Sequence, residues 1–417
     1  MRGFNIGLFG FGTVGQGVYD ILKDLNYSKL GTIQKICVKD PVKSRKISKE
    51  NFVYNKEEIL LDEKIDVIIE TIDDPEEAFK IVKTALDHKK HVITANKKML
   101  AYHLKELTNI AKTQGVAFLY EASSCGSIPI IRLLDNFYTI DELLYVGGIF
   151  NGTTNYILHK IDEENLIFQT ALKQAQEKGF AESDPTNDIE GLDSLYKLII
   201  ITYHAYGIML DVKKVPLLGI STLNDIDIKF AKKHHLKIRL VAYSGIKNNQ
   251  YVAFVLPIFV NKNSPLYHTE YEYNAVVLES RYSSQQFLKG KGAGSYPTAS
   301  SIIADLQSIA NNYKYRNHKE STVNIGTIDF DKDIKFVVYL RKNVLSDNIL
   351  INWEKRYVLD NQEFGIANVN LKELKKITEE IRKSNGFIAL WNDPWNRKNT
   401  HLENHIEQVK EVNQIEI

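Results

Sequence analysis

Short apolar runs alternate with segments of helical periodicity along the first 150 residues. Phe4–Phe9, Ile33–Val38 and Asp66–Thr71 are compact and mostly apolar, as expected of strands buried on both faces. A helical pattern follows the first run through Leu22, and another extends from Pro75 to about Lys90. Repeated βα units of this kind predict an α/β fold with a doubly wound parallel sheet. The alternation continues with His91–Ala95, with Lys97–Gln114 behind Asn96 as N-cap, and with Val116–Glu121.

The pattern changes at Gly147, where a glycine- and threonine-rich segment leads into a helix. Strand-like runs at Leu240–Ser244 and Tyr251–Val260 then indicate an α+β substrate domain. Further along, Leu371–Ser384 is predicted to form a helix in a small C-terminal α/β module. We therefore predict three units: residues 1–146 with about 291–320 for nucleotide binding, residues 147–290 for substrate, and residues 330–417 at the C-terminus.

A glycine-rich turn follows the first predicted strand. Gly10, Gly12 and Gly15 form G-x-G-x-x-G between a strand and a helix, the context that this fingerprint requires. The first glycine permits a tight turn, the second lets the backbone approach a pyrophosphate, and the third allows close helix–strand packing. The free N–H groups of the following helix would face the phosphates. The turn predicts a dinucleotide site.

The end of the second strand carries charges of both signs. An acid such as Asp40 would bind the ribose hydroxyls of NAD, whereas a nearby base accommodates the 2′-phosphate of NADP. Lys39, Lys43 and Arg45 favour NADP, with NAD still possible, although such cations also serve simply to keep a loop soluble.

An acidic loop precedes the helix predicted after Gly191. On that helix Asp193 and Lys197 stand four residues apart, so their side chains meet on one face. A lysine held by a carboxylate beside an acid-lined loop suits proton transfer to a small polar substrate, although a solvated surface ion pair is the commoner outcome. The five acids of the stretch are Glu182, Asp184, Asp188, Glu190 and Asp193.

Composition limits the classes of function. The chain has 417 residues, 44% of them hydrophobic, and a formal net charge of +1, which gives no electrostatic case for binding nucleic acid or an anionic membrane. No apolar run is long enough for a bilayer span, and Met1 leads almost directly into a strand, without room for a signal peptide. Cys37 and Cys125 make no disulfide framework, and the histidines show no metal pattern. We expect a cytoplasmic protein that acts on a small molecule.

Six blocks in order and spacing resemble homoserine dehydrogenase over roughly the first 310 residues. The resemblance implies NAD(P)-linked interconversion of L-homoserine and L-aspartate 4-semialdehyde, in threonine and methionine biosynthesis. It also implies a homodimer joined through the middle α+β domain, which would then be a substrate and dimerisation domain. No aspartate kinase segment precedes residue 1, so the monofunctional form is expected. The blocks are GFGTVGQGV (10–18), TANKKML (94–100), EASSCGSIPII (121–131), GIFNGTTNYIL (148–158), FAESDPTNDIEGLDSLYK (180–197) and GKGAGSYPTAS (290–300).

The resemblance assigns roles to particular residues. Lys197 matches the catalytic lysine, Asp193 the acid beside it, and Lys97 a second active-site lysine. Glu182 and Asp188 match substrate-binding acids, and Lys97 could equally contact the substrate. The cofactor-binding residues implied by the turn and the resemblance are Gly10, Gly12, Thr13, Val14, Gly15, Lys39, Thr71, Lys97, Gly292 and Ala293. A sodium ion held largely by backbone carbonyls is also implied, at Glu121, Ser124, Gly126 and Ile128, although the family usually has more glycine in this block.

Aldehyde reduction requires a hydride and a proton. When bound, the nicotinamide supplies the hydride, so the protein must position the carbonyl and deliver the proton. Lysine has an ordinary pKa of about 10.4, too high for easy proton exchange at neutral pH. We expect the helix dipole and the second lysine to lower the pKa of Lys97, whereas Asp193 favours the charged form of Lys197. The division of labour between the two lysines stays open.

Two other functions compete with this assignment. A phosphorylating semialdehyde dehydrogenase would use Cys125 as its nucleophile, and a non-catalytic NADP sensor could share the fold. The C-terminal module is ACT-like or divergent. Phe336–Arg341 is similar to the first ACT strand, but Lys342–Asn352 lacks the expected Asp-x-x-Gly turn, so regulation by threonine stays open.

Overall fold

The computed structural model describes most of the chain. The described residues are 3–24, 30–247, 250–316, 319, 334–343, 351–359, 361–391 and 394. They form two sheets with helices packed around them. Among these residues, no helix is both long enough and apolar enough to cross a bilayer.

The first sheet is parallel and has six strands in the order β3-β2-β1-β4-β5-β6. Sequential strands on either side of β1 and a reversal of strand order there are the topology of a Rossmann-type sheet, as predicted. The strands are β1 (Phe4–Phe9), β2 (Gly31–Cys37), β3 (Phe52–Val53), β4 (Val67–Glu70), β5 (His91–Thr94) and β6 (Phe118–Leu119).

Helices cover both faces of this sheet. Side chains alternate across each strand, so Ile6 and Leu8 join the core under one face while Phe9 joins the core under the other. The first core is completed by α1 (Thr13–Asp24) and α11 (Ser295–Ala310), and the second by α3 (Pro75–Asp87) and α4 (Lys97–Gln114). The return of the chain after residue 290 therefore places α11 beside α1.

Local capping fixes where two of these helices begin. Asp74 accepts hydrogen bonds from the backbone N–H groups of the first turn of α3, and Pro75 occupies the first helical position. Asn96 caps α4, its Oδ1 accepting from Met99 N at 2.9 Å. Gly115, in the left-handed region with φ +70°, ends α4. The start of α4 matters because Lys97 is its first residue.

The second sheet has nine strands in the order β11-β10-β7-β8-β9-β15-β12-β14-β13. Its two halves meet at one parallel pairing, Leu390 beside Ile258, so the C-terminal strands extend the middle sheet. All other pairs in it are antiparallel. The strands are β7 (Leu143–Ile149), β8 (Lys237–Lys247), β9 (Gln250–Val260), β10 (Tyr273–Ser280), β11 (Ser284–Lys291), β12 (Lys335–Asn343), β13 (Asn352–Leu359), β14 (Gln362–Asn370) and β15 (Phe387–Leu390).

The C-terminal strands follow the order β15-β12-β14-β13, with α12 (Leu371–Lys383) preceding β15. This is the strand order of a split β-α-β arrangement. The connection from β12 to the parallel β13 has eight residues, 344–351. The predicted lack of an Asp-x-x-Gly turn concerns this connection, which lies almost wholly outside the described residues.

Helix α9 (Leu192–Tyr206) is buried along nearly its whole length between the two sheets, where it packs against α4, β7 and β8. It carries Asp193 in its first turn and Lys197 one turn later. The domain boundaries near 146, 290 and 330 stay predictions. The remaining helices are α2 (Glu57–Leu60), α5 (Ile130–Asn136), α6 (Gly152–Glu164), α7 (Phe168–Glu177), α8 (Thr186–Ile189) and α10 (Asp225–Lys233), with 3-10 turns at Lys49–Asn51 and Glu121–Ser123.

Candidate active site

A single carboxylate holds two lysines at the junction of α4 and α9. Asp193 Oδ2 lies 2.7 Å from Lys197 Nζ, the pair expected from their spacing on one helix. Asp193 Oδ1 lies 2.6 Å from Lys97 Nζ. The two amines therefore converge on one group, although they come from different domains of the predicted scheme.

The two lysines differ in exposure. Lys197 is buried, and its Nζ also donates to the backbone carbonyl oxygen of Phe150 at 2.7 Å. The side chain of Lys97 is 43% exposed. Lys197 is thus fixed from two sides, whereas Lys97 borders on open space.

The charges change the pKa values in this cluster. Burial alone would raise the pKa of Asp193, but the ammonium groups of Lys197 and Lys97 hold it well below its ordinary value. The expected lowering of the Lys97 pKa is wrong. The attraction of Asp193 raises the pKa of Lys97, Asp188 and Glu182 add to it, and together these carboxylates outweigh the cost of desolvation.

Asp188 and Glu182 are close enough to the cluster to act on the charge of Lys97. Asp188 lies within a single turn of helix, α8, which forms inside the predicted acidic loop. Burial, and then the neighbouring charge of Asp193, raise the pKa of Asp188. Glu182 is exposed at the start of the acidic loop and contributes to the charge felt by Lys97.

Asn151 is a site residue that the sequence analysis missed. Its amide Nδ2 donates to Asp188 Oδ1 at 2.7 Å and to Asp193 Oδ2 at 2.9 Å. Its Oδ1 accepts from Thr154 N at 2.8 Å and caps α6. The preference of asparagine for helix N-caps could have located the cap, but not the two acids that the amide joins.

The glycine turn has the geometry of a pyrophosphate site. Gly10 has φ +88°, and a Cβ there would meet Thr71 O at 2.9 Å. A Cβ at Gly15 would meet Gly10 O at 2.3 Å, whereas one at Gly12 would have no heavy atom within 4 Å. The turn is therefore tight where strand and helix meet and open where a phosphate would approach. Thr13 and Val14 form the first turn of α1.

The segment Lys291–Gly294 approaches the same region from the second sheet. A Cβ on Gly292 would lie 2.1 Å from the side chain of Asn274, so only glycine fits there. Ala293 is exposed beside it, and Ser295 Oγ donates to Thr13 O at 2.7 Å across the starts of α11 and α1. The two helix N-termini thus lie together at the glycine turn.

The charged loop after β2 is exposed, with Lys39 and Asp40 at its start. One carboxylate oxygen of Asp40 accepts from the backbone N–H groups of Val42 and Lys43, at 2.8 and 3.1 Å, which lowers the Asp40 pKa. Arg45 lies over the ring of Phe52. Backbone N–H groups of this loop therefore already occupy one oxygen of the Asp40 carboxylate, the group that would bind the ribose hydroxyls of NAD.

The predicted cation ligands share one short loop. Cys125 and Gly126 both have φ +57°, a pair of left-handed residues that turns the backbone sharply. Ser124 Oγ is buried without a hydrogen-bond partner, whereas Gly126 O accepts from Ser301 Oγ at 2.8 Å. The carboxylate of Glu121 instead accepts from the N–H groups of Ile131 and Arg132, both at 2.8 Å. Within the described ranges, no cluster of histidine, cysteine and acidic side chains could hold a metal ion.

Cys125 lies at the centre of that loop and is fully buried. Burial raises the pKa of its thiol to about 12. Because the thiolate is the nucleophilic form, a thiol with this pKa is inert at neutral pH. The environment of Cys125 therefore argues against the thioester chemistry of a phosphorylating dehydrogenase.

Comparison with known proteins gives one consistent family. A profile described as "Homoserine dehydrogenase, NAD binding domain" matches residues 10–121, and one described as "Homoserine dehydrogenase" matches residues 129–307. The homoserine dehydrogenase of Bacillus subtilis is 36% identical over 323 residues, which cover 75% of this chain and 74% of that protein. That of Helicobacter pylori is 32% identical over 384 residues, covering 89% of this chain and 88% of the relative.

Solved structures agree with the sequence comparison. A homoserine dehydrogenase from Thiobacillus denitrificans superposes with a TM-score of 0.81 at 26% identity, covering 94% of this chain and 100% of that one. A hyperthermophilic archaeal homoserine dehydrogenase in complex with NADPH gives 0.65 at 25% identity, covering 75% and 99%. With these matches and its parallel nucleotide sheet, this chain belongs to the homoserine dehydrogenase family, NAD(P)-dependent oxidoreductases that interconvert L-homoserine and L-aspartate 4-semialdehyde.

Proposed function

We propose that Lys197 is the principal proton donor and acceptor of the homoserine reaction, with Lys97 assisting and Asp193 orienting both. A lysine ammonium has three N–H bonds. Two of those on Lys197 point at Asp193 and at the Phe150 carbonyl, which leaves one for a substrate oxygen. The single observation that supports this proposal is the carboxylate of Asp193 held between both amines.

The residues act at the carbonyl oxygen of the semialdehyde. When bound, the nicotinamide supplies or accepts the hydride. Lys197 donates a hydrogen bond to the oxygen, stabilises the negative charge that develops there and transfers the proton as the alcohol forms. In the oxidative direction the same amine takes the hydroxyl proton. Lys97, half exposed beside it, assists this transfer or contacts the substrate carboxylate.

The substrate ammonium requires carboxylate partners, and we assign this role to Glu182 and Asp188. Glu182 is exposed and therefore accessible to a ligand, and both acids influence Lys97 electrostatically. Replacing Glu182 with alanine should raise the Michaelis constant for homoserine with a smaller effect on kcat. Initial rates against homoserine concentration test this, with Asp184→Ala as the matched control from the same loop; an unchanged Michaelis constant and rate would remove Glu182 from the site.

We propose NADP as the preferred cofactor, with NAD as a poorer substitute. The nucleotide would be held by the turn at Gly10, Gly12, Thr13, Val14 and Gly15, together with Thr71, Lys97, Gly292 and Ala293. Lys39 is exposed near the expected ribose position, and backbone N–H groups partly engage Asp40. The archaeal relative is named as an NADPH complex. Initial rates with each cofactor decide the preference; a higher kcat/KM with NAD would contradict it.

We propose further that backbone carbonyls of Glu121, Ser124, Gly126 and Ile128 bind a sodium ion. The sharp left-handed turn at Cys125 and Gly126 and the unpartnered hydroxyl of Ser124 support a cation there, since sodium is a hard ion that takes oxygen ligands. Thermal unfolding in sodium chloride and in choline chloride at equal ionic strength tests the site. Identical melting temperatures in the two salts would remove it.

The assembly and location are also proposals. A homodimer formed through residues 147–290 is supported by β11, an exposed edge strand that carries partly exposed Phe287. We propose the same division into domains as before: a nucleotide domain at 1–146 with about 291–320, and a C-terminal unit at 330–417. The free cysteines, Cys37 and Cys125, suit a cytoplasmic protein. Light scattering coupled to size exclusion measures the mass; a monomer that is fully active would contradict the dimer.

A further inference from the structure

Asn151 connects three parts of the active site through one side chain. It is buried, and its oxygen caps α6 by accepting from Thr154 N at 2.8 Å. Its nitrogen donates one hydrogen bond to Asp188 and one to Asp193, at 2.7 and 2.9 Å. Both amide hydrogens and the oxygen are therefore engaged.

The chemistry of the amide matters at this position. Two carboxylates that approach each other disfavour their joint ionisation, and a neutral donor between them relieves this. Aspartate or serine caps a helix about as well as asparagine, but neither supplies two N–H donors. The capping role and the role between the acids can therefore be separated by substitution.

We propose that Asn151 is a positioning residue for the homoserine reaction, whose amide keeps Asp188 available as a carboxylate and turns Asp193 towards both lysines. The proposal rests on the roles assigned above to Asp188 and Asp193. Asn151 itself need not touch the substrate, because its effect passes through the two acids that it joins.

The groups around Asp188 come from three helices. Asp193 and Lys197 belong to α9, Lys97 to α4, and Asn151 to the start of α6. Burial and Asp193 raise the pKa of Asp188, whereas the Asn151 amide and the two lysines oppose this rise. Loss of the amide should therefore make Asp188 harder to ionise.

The test compares Asn151→Ser with Asn224→Ser. Asn224 caps α10 in the same way, its side chain accepting from Ile226 N and Asp227 N, but its amide donates to Gln362 and to no group of the lysine cluster. N151S should lower kcat/KM for homoserine about tenfold, equivalent to one charge-assisted hydrogen bond. The acidic limb of its pH profile should move to higher pH by about one pH unit, since the hydrogen bond to the ionised acid is lost. N224S should leave both properties unchanged.

A second variant and a direct titration complete the experiment. Asn151→Asp keeps the cap and the shape but removes the donors and adds a third negative charge, so its loss of kcat/KM should exceed that of N151S.

Selective carbon-13 labelling of aspartate carboxyl groups follows the titration of Asp188 in the free protein, with D188N identifying the signal. An unmoved Asp188 titration in N151S, with activity reduced equally at every pH, would reduce Asn151 to a helix cap and overturn the proposal. If the wild-type protein does not turn over homoserine, the substrate roles of Glu182 and Asp188 are refuted. The carboxyl titration would still show whether Asn151 affects the ionisation of Asp188.

Discussion

At the scale of single residues, the active site is organised by Asp193. Charged groups are stable in a protein interior only when they are paired and hydrogen-bonded. Asp193 is buried, and each of its carboxylate oxygens faces one ammonium group. Lys197 can therefore remain buried and oriented, while Lys97 reaches towards the open side.

Replacement of Lys197 with alanine should lower kcat for homoserine oxidation by about 10²–10⁴-fold, the usual contribution of a general acid–base group. Asp193 keeps Lys97 as a partner, so the variant should remain folded. Steady-state rates and circular dichroism measure both effects.

Lys90→Ala is the matched control, because Lys90 is also a buried lysine. It donates to the carbonyls of Asp62 and Ile65, at 2.7 and 2.9 Å, away from the site. This variant should lose stability but keep its turnover. Near-normal turnover in a folded Lys197→Ala protein would refute the assignment of Lys197.

Buried Glu70, at the end of β4, should make stability depend on pH. Burial raises its pKa from 4.5 to about 7, although hydrogen bonds from Thr94 and Ile72 oppose this. Between these two values the unfolded chain releases the proton while the folded protein retains it, so stability falls as pH rises through this window and levels off above it. The loss would be up to about 3 kcal/mol.

Glu70→Gln removes this titration and should flatten the decline. Denaturant unfolding of both proteins at intervals from pH 5 to 8 measures the difference. If the wild-type protein is equally stable throughout this range, Glu70 is ionised in the folded state and the prediction fails.

At the scale of elements, the turn between β1 and α1 meets two requirements with different glycines: close packing of strand and helix, and access for a ligand. The space around Gly15 is closed by the carbonyl of Gly10, whereas the space around Gly12 is open to an approaching group. One glycine therefore serves the fold and the other serves the ligand, although both belong to the same motif.

Gly15→Ala should destabilise the protein by about 1–3 kcal/mol, the usual cost of overpacking. Gly12→Ala should change stability by less than about 0.5 kcal/mol, because its Cβ meets no protein atom. The latter should instead raise the dissociation constant for the cofactor about tenfold or more, as the methyl group obstructs the pyrophosphate. Thermal unfolding without ligand and cofactor titration distinguish the two; equal effects of both substitutions would contradict this separation.

At the scale of the whole molecule, the C-terminal strands are joined to the middle of the protein by buried charge. Arg341 on β12 lies against Asp227 at the start of α10, with Nε–Oδ1 and Nη2–Oδ2 distances of 2.8 and 3.0 Å. Tyr339 also donates to Asp227. On α12, Arg382 donates to the Leu217 carbonyl at 2.8 Å, so the C-terminal part also contacts the segment between α9 and α10.

Arg341→Met should destabilise the folded protein by about 3–5 kcal/mol, because Asp227 would remain buried without its charged partner. Arg356→Met is the matched control: the Arg356 side chain is 52% exposed, and its partner Glu363, although buried, keeps Lys342 as a second partner, so the loss should be about 0–1 kcal/mol. Denaturant unfolding compares the variants. A similar small loss in both would show that Arg341 does not hold the C-terminal strands in place.

The features that were predicted correctly from the sequence depend on local physics. Phe4–Phe9 and Lys97–Gln114 have the predicted bounds, because an apolar run and an N-cap define them within a few residues. The meeting of Asp193 and Lys197 follows from helical spacing alone. The strand–turn–helix context of the glycines likewise identified the nucleotide fold.

What only the tertiary structure decided depends on groups that are distant along the chain. Residue spacing alone could not bring Lys97 onto Asp193, and only the family resemblance implied that the two lysines share one site. The predicted lowering of the Lys97 pKa failed because the nearby carboxylates outweigh the cost of desolvation. The sequence also could not identify the Phe150 carbonyl as a partner of Lys197, since every residue has a carbonyl and only tertiary packing brings one of them to the amine. Side-chain pattern and capping act within a helix or strand, whereas the charge environment of an active site is the sum over every element that packs against it.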